Sequence, residues 1–271
     1  MQEPSPTPFD RLCTLITGNF SPPPGARRIL VSLIYGCVCH AIFAVAVFAM
    51  IVVMYTGMTI SIGRVPAPWS WVVNICLILQ FPIGHSLLLS KRGRKFIFIF
   101  AKREHAPTLQ TTIFATLASV QLSLLFLFWT PSGVIWWIAE GEARWILTGL
   151  YACSWGLLIK ASYDAGAEVQ AGALGWMSLL QKIAPNYPDM PKTGLFAIMR
   201  HPIYLSFALT LWTVPVWTPD QLILSTLLTI YCLLAPRLKE KRFQTRFGAE
   251  FERYRTKTPY MVPRIKGINS N

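Results

Sequence analysis

Charged residues are scarce in this 271-residue chain. They make up 14% of the sequence, whereas a typical soluble domain contains about 25%. Hydrophobic residues reach 53%, and the mean hydropathy is +0.44. The apolar residues occur in long blocks without charge, which a soluble core does not require. This pattern excludes a soluble globular enzyme and a disordered chain, and it predicts an all-α, polytopic membrane protein.

Recognisable metal-binding and nucleotide-binding motifs are also missing. The chain has six cysteines, but no two of them form a C-x-x-C pair, so neither a disulfide framework nor a zinc site is predicted. The sequence contains no glycine-rich dinucleotide loop, no P-loop, no H-E-x-x-H motif and no nucleophile elbow. We therefore expect no metal, and any activity must come from residues outside these motifs.

The apolar blocks predict about six membrane-spanning helices, because a span needs about 20 apolar residues. Four helices are predicted at residues 29–55, 69–90, 110–130 and 145–163. Residues 203–235 are too long for one straight span and contain Pro215 and Pro219, so they are interpreted as a helical hairpin. Residues 1–28 form a polar N-terminal segment, and residues 264–271 end the tail.

The basic residues orient these helices. The formal net charge is +13, yet the predicted loops 56–68 and 131–144 contain only Arg64 and Arg144 of the 25 basic residues. Because basic loops stay in the cytoplasm, both termini are predicted to be cytoplasmic, in a bacterial inner membrane. The remaining basic residues then face anionic headgroups of the lipid bilayer. No groove-reading motif accompanies the charge, so no nucleic acid is expected as a partner, and no obligate protein partner is indicated.

Polar side chains near the predicted cytoplasmic ends of the spans are the candidates for a functional site. They are His85, Asp164, Glu168, the Arg200-His201-Pro202 turn and Glu240. Two of these, Asp164 and Glu168, have a plain alternative as solvated ends of a helix, and His40 in the first span is better explained as a packing histidine. Composition and spacing alone therefore predict a membrane protein with a polar site on its cytoplasmic side.

The last seventy residues carry a more specific pattern. The run GLFAIMRHPIYLSF at 194–207 is followed by the hairpin and then by KEKRFQTRFGAEFERYRTKTPYMVP at 239–263. This order resembles the C-terminal signature of the isoprenylcysteine carboxyl methyltransferase-like membrane family. The matching residues are Arg200, His201, Pro202, Tyr204, Phe247, Gly248, Tyr254 and Pro259. Upstream, His85-Ser86 after an apolar span is similar to the methanethiol S-methyltransferase branch of that family.

The resemblance implies an S-adenosylmethionine-dependent methyltransferase whose cytoplasmic tail folds back on the membrane. Residues 29–193 would then form the acceptor side, and residues 194–263 would bind the cofactor. The expected cofactor-binding residues are Arg200, His201, Pro202, Tyr204, Glu240 and Phe247. The expected catalytic residue is His85, which would take the proton of a small or lipophilic thiol such as methanethiol, with His201 as the alternative base.

The sequence departs from the family pattern at two positions. Lys239 replaces the first of two paired glutamates, so that only Glu240 remains, and Ser206 replaces a glycine. Adjacent helical residues point about 100° apart, so Glu240 does not automatically inherit the contact of its neighbour. The alternatives are methylation of an isoprenylcysteine carboxylate or a lipid amine, a sterol-reductase-like NADPH enzyme, and a non-enzymatic accessory protein. Ile203 and the Ser206-Phe207 pair argue against the reductase.

Overall fold

The computed structural model describes residues 7–263, without the side chains at positions 91 and 94. The structure is 72% helical, which confirms the all-α prediction. The predicted tail end, 264–271, lies outside the described residues. The helices are α1 (Pro8–Thr17), α2 (Ala26–Tyr55), α3 (Trp69–Leu88), α4 (Lys91–Ile97), α5 (Ala106–Phe128), α6 (Gly141–Asp164), α7 (Ala167–Gln170), α8 (Ala173–Gln181), α9 (Leu195–Ile198), α10 (Pro202–Trp212), α11 (Pro219–Phe247) and α12 (Ala249–Lys257). Two short antiparallel strands, β1 (Trp137–Ile138) and β2 (Val216–Trp217), complete the fold.

Four described helices have the length and hydropathy of a membrane span, namely α2, α3, α5 and α11. The helix α10 is apolar but has only 11 residues, or about 16 Å, against a hydrocarbon core of about 30 Å. The 24-residue helix α6 is long enough but less apolar. The chain is therefore a polytopic membrane protein. The sequence predicts α6 and α10 as spans too, but these two helices do not have both the length and the hydropathy of the other four.

Residues up to 135 and residues 166–187 form one compact unit. In this unit α2 packs along α5, and α8 packs against both helices. One buried apolar cluster of this unit comes from α3, α4, α5 and α8 and includes Leu88, Ile97, Leu109, Ile113 and Leu179.

Reciprocal polar contacts join α3 to α5 and to the segment that follows α5. The amide of Asn74 donates to the Thr130 carbonyl at 2.8 Å and accepts from the Thr130 amide at 2.9 Å. In the same way, the side-chain amide of Gln80 donates to the backbone carbonyl of Gln121, and the side-chain amide of Gln121 donates to the backbone carbonyl of Gln80. These bonds satisfy backbone groups next to the apolar spans, where unpaired groups are costly.

Replacing Asn74 with leucine is expected to lower the free energy of unfolding by about 1–3 kcal/mol, because both backbone groups of Thr130 lose their partner. Thermal unfolding of the detergent-solubilised protein measures this loss. The control is Cys76→Ala, since Cys76 is exposed on the same helix. Equal melting temperatures for the two variants would contradict a stabilising role for Asn74.

The N-terminal segment contains a helix that composition alone does not indicate. The Thr7 side chain accepts from the Asp10 amide, and the Asp10 side chain in turn accepts from the Thr7 amide, which is a capping box. The helix α1 is held by an Arg11 Nε–Glu168 Oε1 contact of 3.2 Å and by a hydrogen bond from Gln181 Nε2 to the Leu15 carbonyl. The candidate acid Glu168 is therefore buried in an ion pair rather than exposed at a helix end.

Residues 136–165 and residues from 188 onward form the second unit. In this unit α6 packs against α10, and α10 packs against α11. The sequence predicts α6 as part of the acceptor-side region, and in the structure this helix packs with the C-terminal helices. At 29 residues α11 is about 43 Å long, so its last turns extend beyond a hydrocarbon core of about 30 Å. Gly248, with φ +51°, ends α11 and begins α12.

Candidate functional site

The Arg200-His201-Pro202 turn begins α10. Pro202 occupies the first helical position, where the missing N–H costs nothing because no intrahelical partner exists there. The Arg200 amide donates to the Pro259 carbonyl at 2.9 Å, which joins this turn to the end of the tail. The sequence pattern R-H-P and the closing proline are therefore adjacent in space.

Glu240 is the acidic centre of the site. Its Oε1 atom accepts from Arg200 Nε at 2.7 Å and lies 2.8 Å from His201 Nε2. The side chains of Arg200, His201 and Glu240 are 11%, 3% and 16% exposed, so the three groups are largely removed from water. A charge that is poorly hydrated needs such partners. The remaining glutamate of the family pair is therefore the residue that contacts the R-H-P turn.

Arg200 also forms hydrogen bonds with the tail. Its Nη1 atom donates to the carbonyl of Arg255 at 3.0 Å and to that of Thr258 at 2.5 Å. Further along, the Tyr254 hydroxyl donates to the Phe196 carbonyl at 2.6 Å. The tail after Gly248 thus folds back onto the segment that leads into α10.

His201 is neutral and has one unused acceptor. Burial lowers the pKa of His201 to about 4, although the neighbouring Glu240 acts in the opposite direction. A neutral ring that donates from Nε2 to Glu240 carries no proton on Nδ1. Within residues 7–263, this buried Nδ1 atom has no hydrogen-bond partner. An N–H or O–H group of a ligand would satisfy it, so the site fits a nucleoside cofactor with such donors.

The other expected cofactor residues occupy different surroundings. Tyr204 lies in the first turn of α10, with its ring 6.0 Å from that of His201. Phe247 instead ends α11 and packs on Phe243, with ring centroids 5.5 Å apart. The buried aromatic residue of the tail is Phe251, which contacts both Phe243 and Tyr254.

Sequence reasoning missed the contact that positions the segment before the R-H-P turn. The Asp164 carboxylate accepts from the Leu195 amide at 2.9 Å and forms an ion pair with Lys160. Gly194 has φ +59°, and a Cβ at this position would collide with the Asp164 carboxylate. Asp164 is therefore a buried anchor rather than a solvated helix end. The signal in the sequence for this contact was the glycine six residues before Arg200.

The predicted base, His85, belongs to the first unit. Its ring packs between those of Phe81 and Phe114, with centroid separations of 5.4 and 4.9 Å. In the same unit the Trp176 indole donates to His40 Nε2 at 3.0 Å, as expected of a packing histidine. Among the described residues, no group of three His, Cys, Asp or Glu side chains is placed to hold a metal ion.

No family model matches the chain, and no solved structure matches it. Curated proteins do. A methanethiol S-methyltransferase of Mycobacterium tuberculosis is 25% identical over 245 residues, covering 86% of this chain and 96% of the relative. Methanethiol S-methyltransferase 2 of Bradyrhizobium diazoefficiens is 27% identical over 193 residues, covering 71% and 73%. Nurim of Rattus norvegicus is 28% identical over 178 residues, covering 62% and 66%.

These relatives are members of the isoprenylcysteine carboxyl methyltransferase-like membrane family, so the comparisons confirm the resemblance that the C-terminal motif indicated. The chain is similar both to proteins named as enzymes and to nurim, a name that states no reaction.

Proposed function

We propose that this chain is an S-adenosylmethionine-dependent membrane methyltransferase that methylates the sulfur of a small thiol such as methanethiol. The observation that carries the proposal is the Arg200–Glu240–His201 cluster, which joins the R-H-P turn to the folded-back tail. The names of the relatives support the thiol acceptor. Four apolar helices place the protein in a membrane, into which a small apolar thiol partitions.

Each group in the cluster has a task toward the cofactor. His201 Nδ1 accepts a hydrogen bond from a cofactor N–H or O–H group, and Glu240 keeps the histidine in the required tautomer. Arg200 holds Glu240 and the tail in place. Tyr204 offers a ring face close to His201. When bound, S-adenosylmethionine supplies a methyl group on a positively charged sulfur.

The acceptor must be a thiolate, because the thiolate and not the thiol is the nucleophile. Its sulfur forms a bond to the methyl carbon as the bond from that carbon to the sulfonium sulfur breaks, and S-adenosylhomocysteine leaves. The thiol proton goes to a base. A histidine whose pKa is lowered to about 4 is a poor proton acceptor at neutral pH, so we assign this role to His85 rather than to His201.

The acceptor class is tested with the purified protein, S-adenosylmethionine and separate panels of thiols, prenylcysteines and lipid amines, read by mass spectrometry. We expect methylated thiols, at rates that rise with pH because a larger fraction of the thiol is then ionised. Products from amines or carboxylates without any thioether would contradict the thiol assignment. Binding of NADPH in place of S-adenosylmethionine would instead support the reductase.

The proposed orientation in a bacterial inner membrane has its own test. In a variant without native cysteines, Arg64→Cys and Glu142→Cys are expected to react with an impermeant thiol reagent added outside sealed cells. Lys95→Cys and Lys257→Cys are expected to react only after permeabilisation, since both lie in the basic segments that the positive-inside rule places in the cytoplasm. Labelling of Lys95→Cys in sealed cells would contradict the cytoplasmic site.

A further inference from the structure

Lys239, one of the two residues that depart from the family pattern, lies directly beside the site. Its Nζ atom is 5.4 Å from the centroid of the Phe196 ring and 5.2 Å from that of the Phe243 ring. Phe196 is fully buried, and its carbonyl accepts from the Tyr254 hydroxyl, so this ring is fixed in position. The ammonium group is thus held at a defined place one residue from Glu240.

The charges around Lys239 do not balance. The neighbouring carboxylate of Glu240 is already shared by Arg200 and His201. Within the part of the chain that the structure describes, no carboxylate lies within ion-pair distance of Lys239. Aromatic faces attract a cation, but they do not neutralise it. A half-buried cation beside a satisfied acid is therefore placed to receive an anion.

Lys239 also lies at a suitable depth for a water-soluble ligand. Twenty residues separate it from the start of α11 at Pro219, or about 30 Å along the helix. This distance equals the thickness of the hydrocarbon core. We therefore expect the ammonium group at the edge of the apolar region, on the same end of α11 as Glu240, where a charged cofactor can reach both residues.

We infer that Lys239 binds the carboxylate of the cofactor's methionyl group. This inference rests on the proposed function, because it assumes that S-adenosylmethionine binds at the Arg200–Glu240–His201 cluster. The acid of the family pattern would repel a carboxylate, whereas a lysine pairs with it. Lys239 thus gives this chain a carboxylate-binding position in place of an acidic one, while Glu240 retains its contacts with the R-H-P turn.

The test compares three ligands by calorimetry on the purified full-length protein in detergent. S-adenosylhomocysteine carries the carboxylate, decarboxylated S-adenosylmethionine keeps the amine without it, and methylthioadenosine lacks both. For Lys239→Met, which keeps the length of the side chain, we expect affinity for S-adenosylhomocysteine to fall about tenfold or more. Affinity for the other two ligands should stay unchanged. Lys239→Arg should retain wild-type affinity for all three, as should the control Lys241→Met at an exposed position.

The outcomes separate this inference from the proposed function. If the wild-type protein binds none of the three ligands, the proposed cofactor is wrong and the inference fails with it. If the wild-type protein binds S-adenosylhomocysteine and Lys239→Met binds it equally well, the inference alone is overturned. Equal losses for all three ligands would also overturn it, because they would indicate a general distortion of the site.

Discussion

Replacing Arg200 with alanine is expected to weaken binding of S-adenosylmethionine about 100-fold, as truncating a buried charged partner does at well-packed sites. The change removes the donor to Glu240 and both side-chain hydrogen bonds to the tail carbonyls. Of its two partners among residues 7–263, Glu240 then keeps His201, and the segment from Arg255 to Thr258 loses its hydrogen bonds to Arg200. Calorimetry with the purified variant measures the affinity.

A matched control is Arg255→Ala. The Arg255 side chain pairs with Glu252 at the surface, whereas its backbone carbonyl, which receives Arg200, is unaffected by the substitution. We expect this variant to bind the cofactor as the wild type does. Limited chymotrypsin digestion, whose tail sites both variants keep, should cut the tail faster in Arg200→Ala than in Arg255→Ala. Unchanged affinity in Arg200→Ala would remove the R-H-P turn from the cofactor site.

Replacing His85 with phenylalanine is expected to slow thiol methylation about 100-fold at neutral pH, the typical contribution of a general base. Phenylalanine suits the position, because the His85 ring already packs between two phenyl rings. Raising the pH ionises a growing fraction of the acceptor thiol without a base, so the deficit should shrink as the pH rises. Initial rates measured across this pH range give the ratio of wild type to variant.

The control for His85 is His105→Ala. His105 lies beside Glu104 near the start of α5, and no step of the proposed reaction uses it. The methylation rates of His105→Ala should therefore equal those of the wild type at every pH. A ratio of wild type to His85→Phe that stays constant across the pH range would show that His85 only supports packing. That result would show that the proposed base is wrong, but it would not contradict the proposed cofactor site.

The sequence predicted the long apolar helices well, because a span requires an unbroken apolar block. The predicted ranges 29–55 and 69–90 compare with α2 at Ala26–Tyr55 and α3 at Trp69–Leu88. The hairpin was also expected, since prolines interrupt the apolar run before α11. The short α1 was missed because a ten-residue amphipathic helix gives no such block. Its signals are the capping box and the helical spacing of Phe9, Leu12 and Ile16.

The sequence motif did not indicate the contacts of the candidate site. The motif identified Arg200, His201 and Glu240, and the structure brings these three together. It did not indicate that Arg200 binds the tail carbonyls or that Asp164 anchors the segment before the turn. Such contacts depend on how helices distant in sequence pack, which spacing along the chain does not encode.

Transfer of an isotopically labelled methyl group tests the central claim most directly. The purified protein is incubated with S-adenosylmethionine bearing a trideuterated methyl group and with methanethiol, and the headspace is analysed by mass spectrometry. We expect trideuterated dimethyl sulfide and S-adenosylhomocysteine in equal amounts from the wild-type protein and far less of both from Arg200→Ala. Wild-type protein that binds the cofactor but yields no labelled sulfide would contradict the proposed reaction.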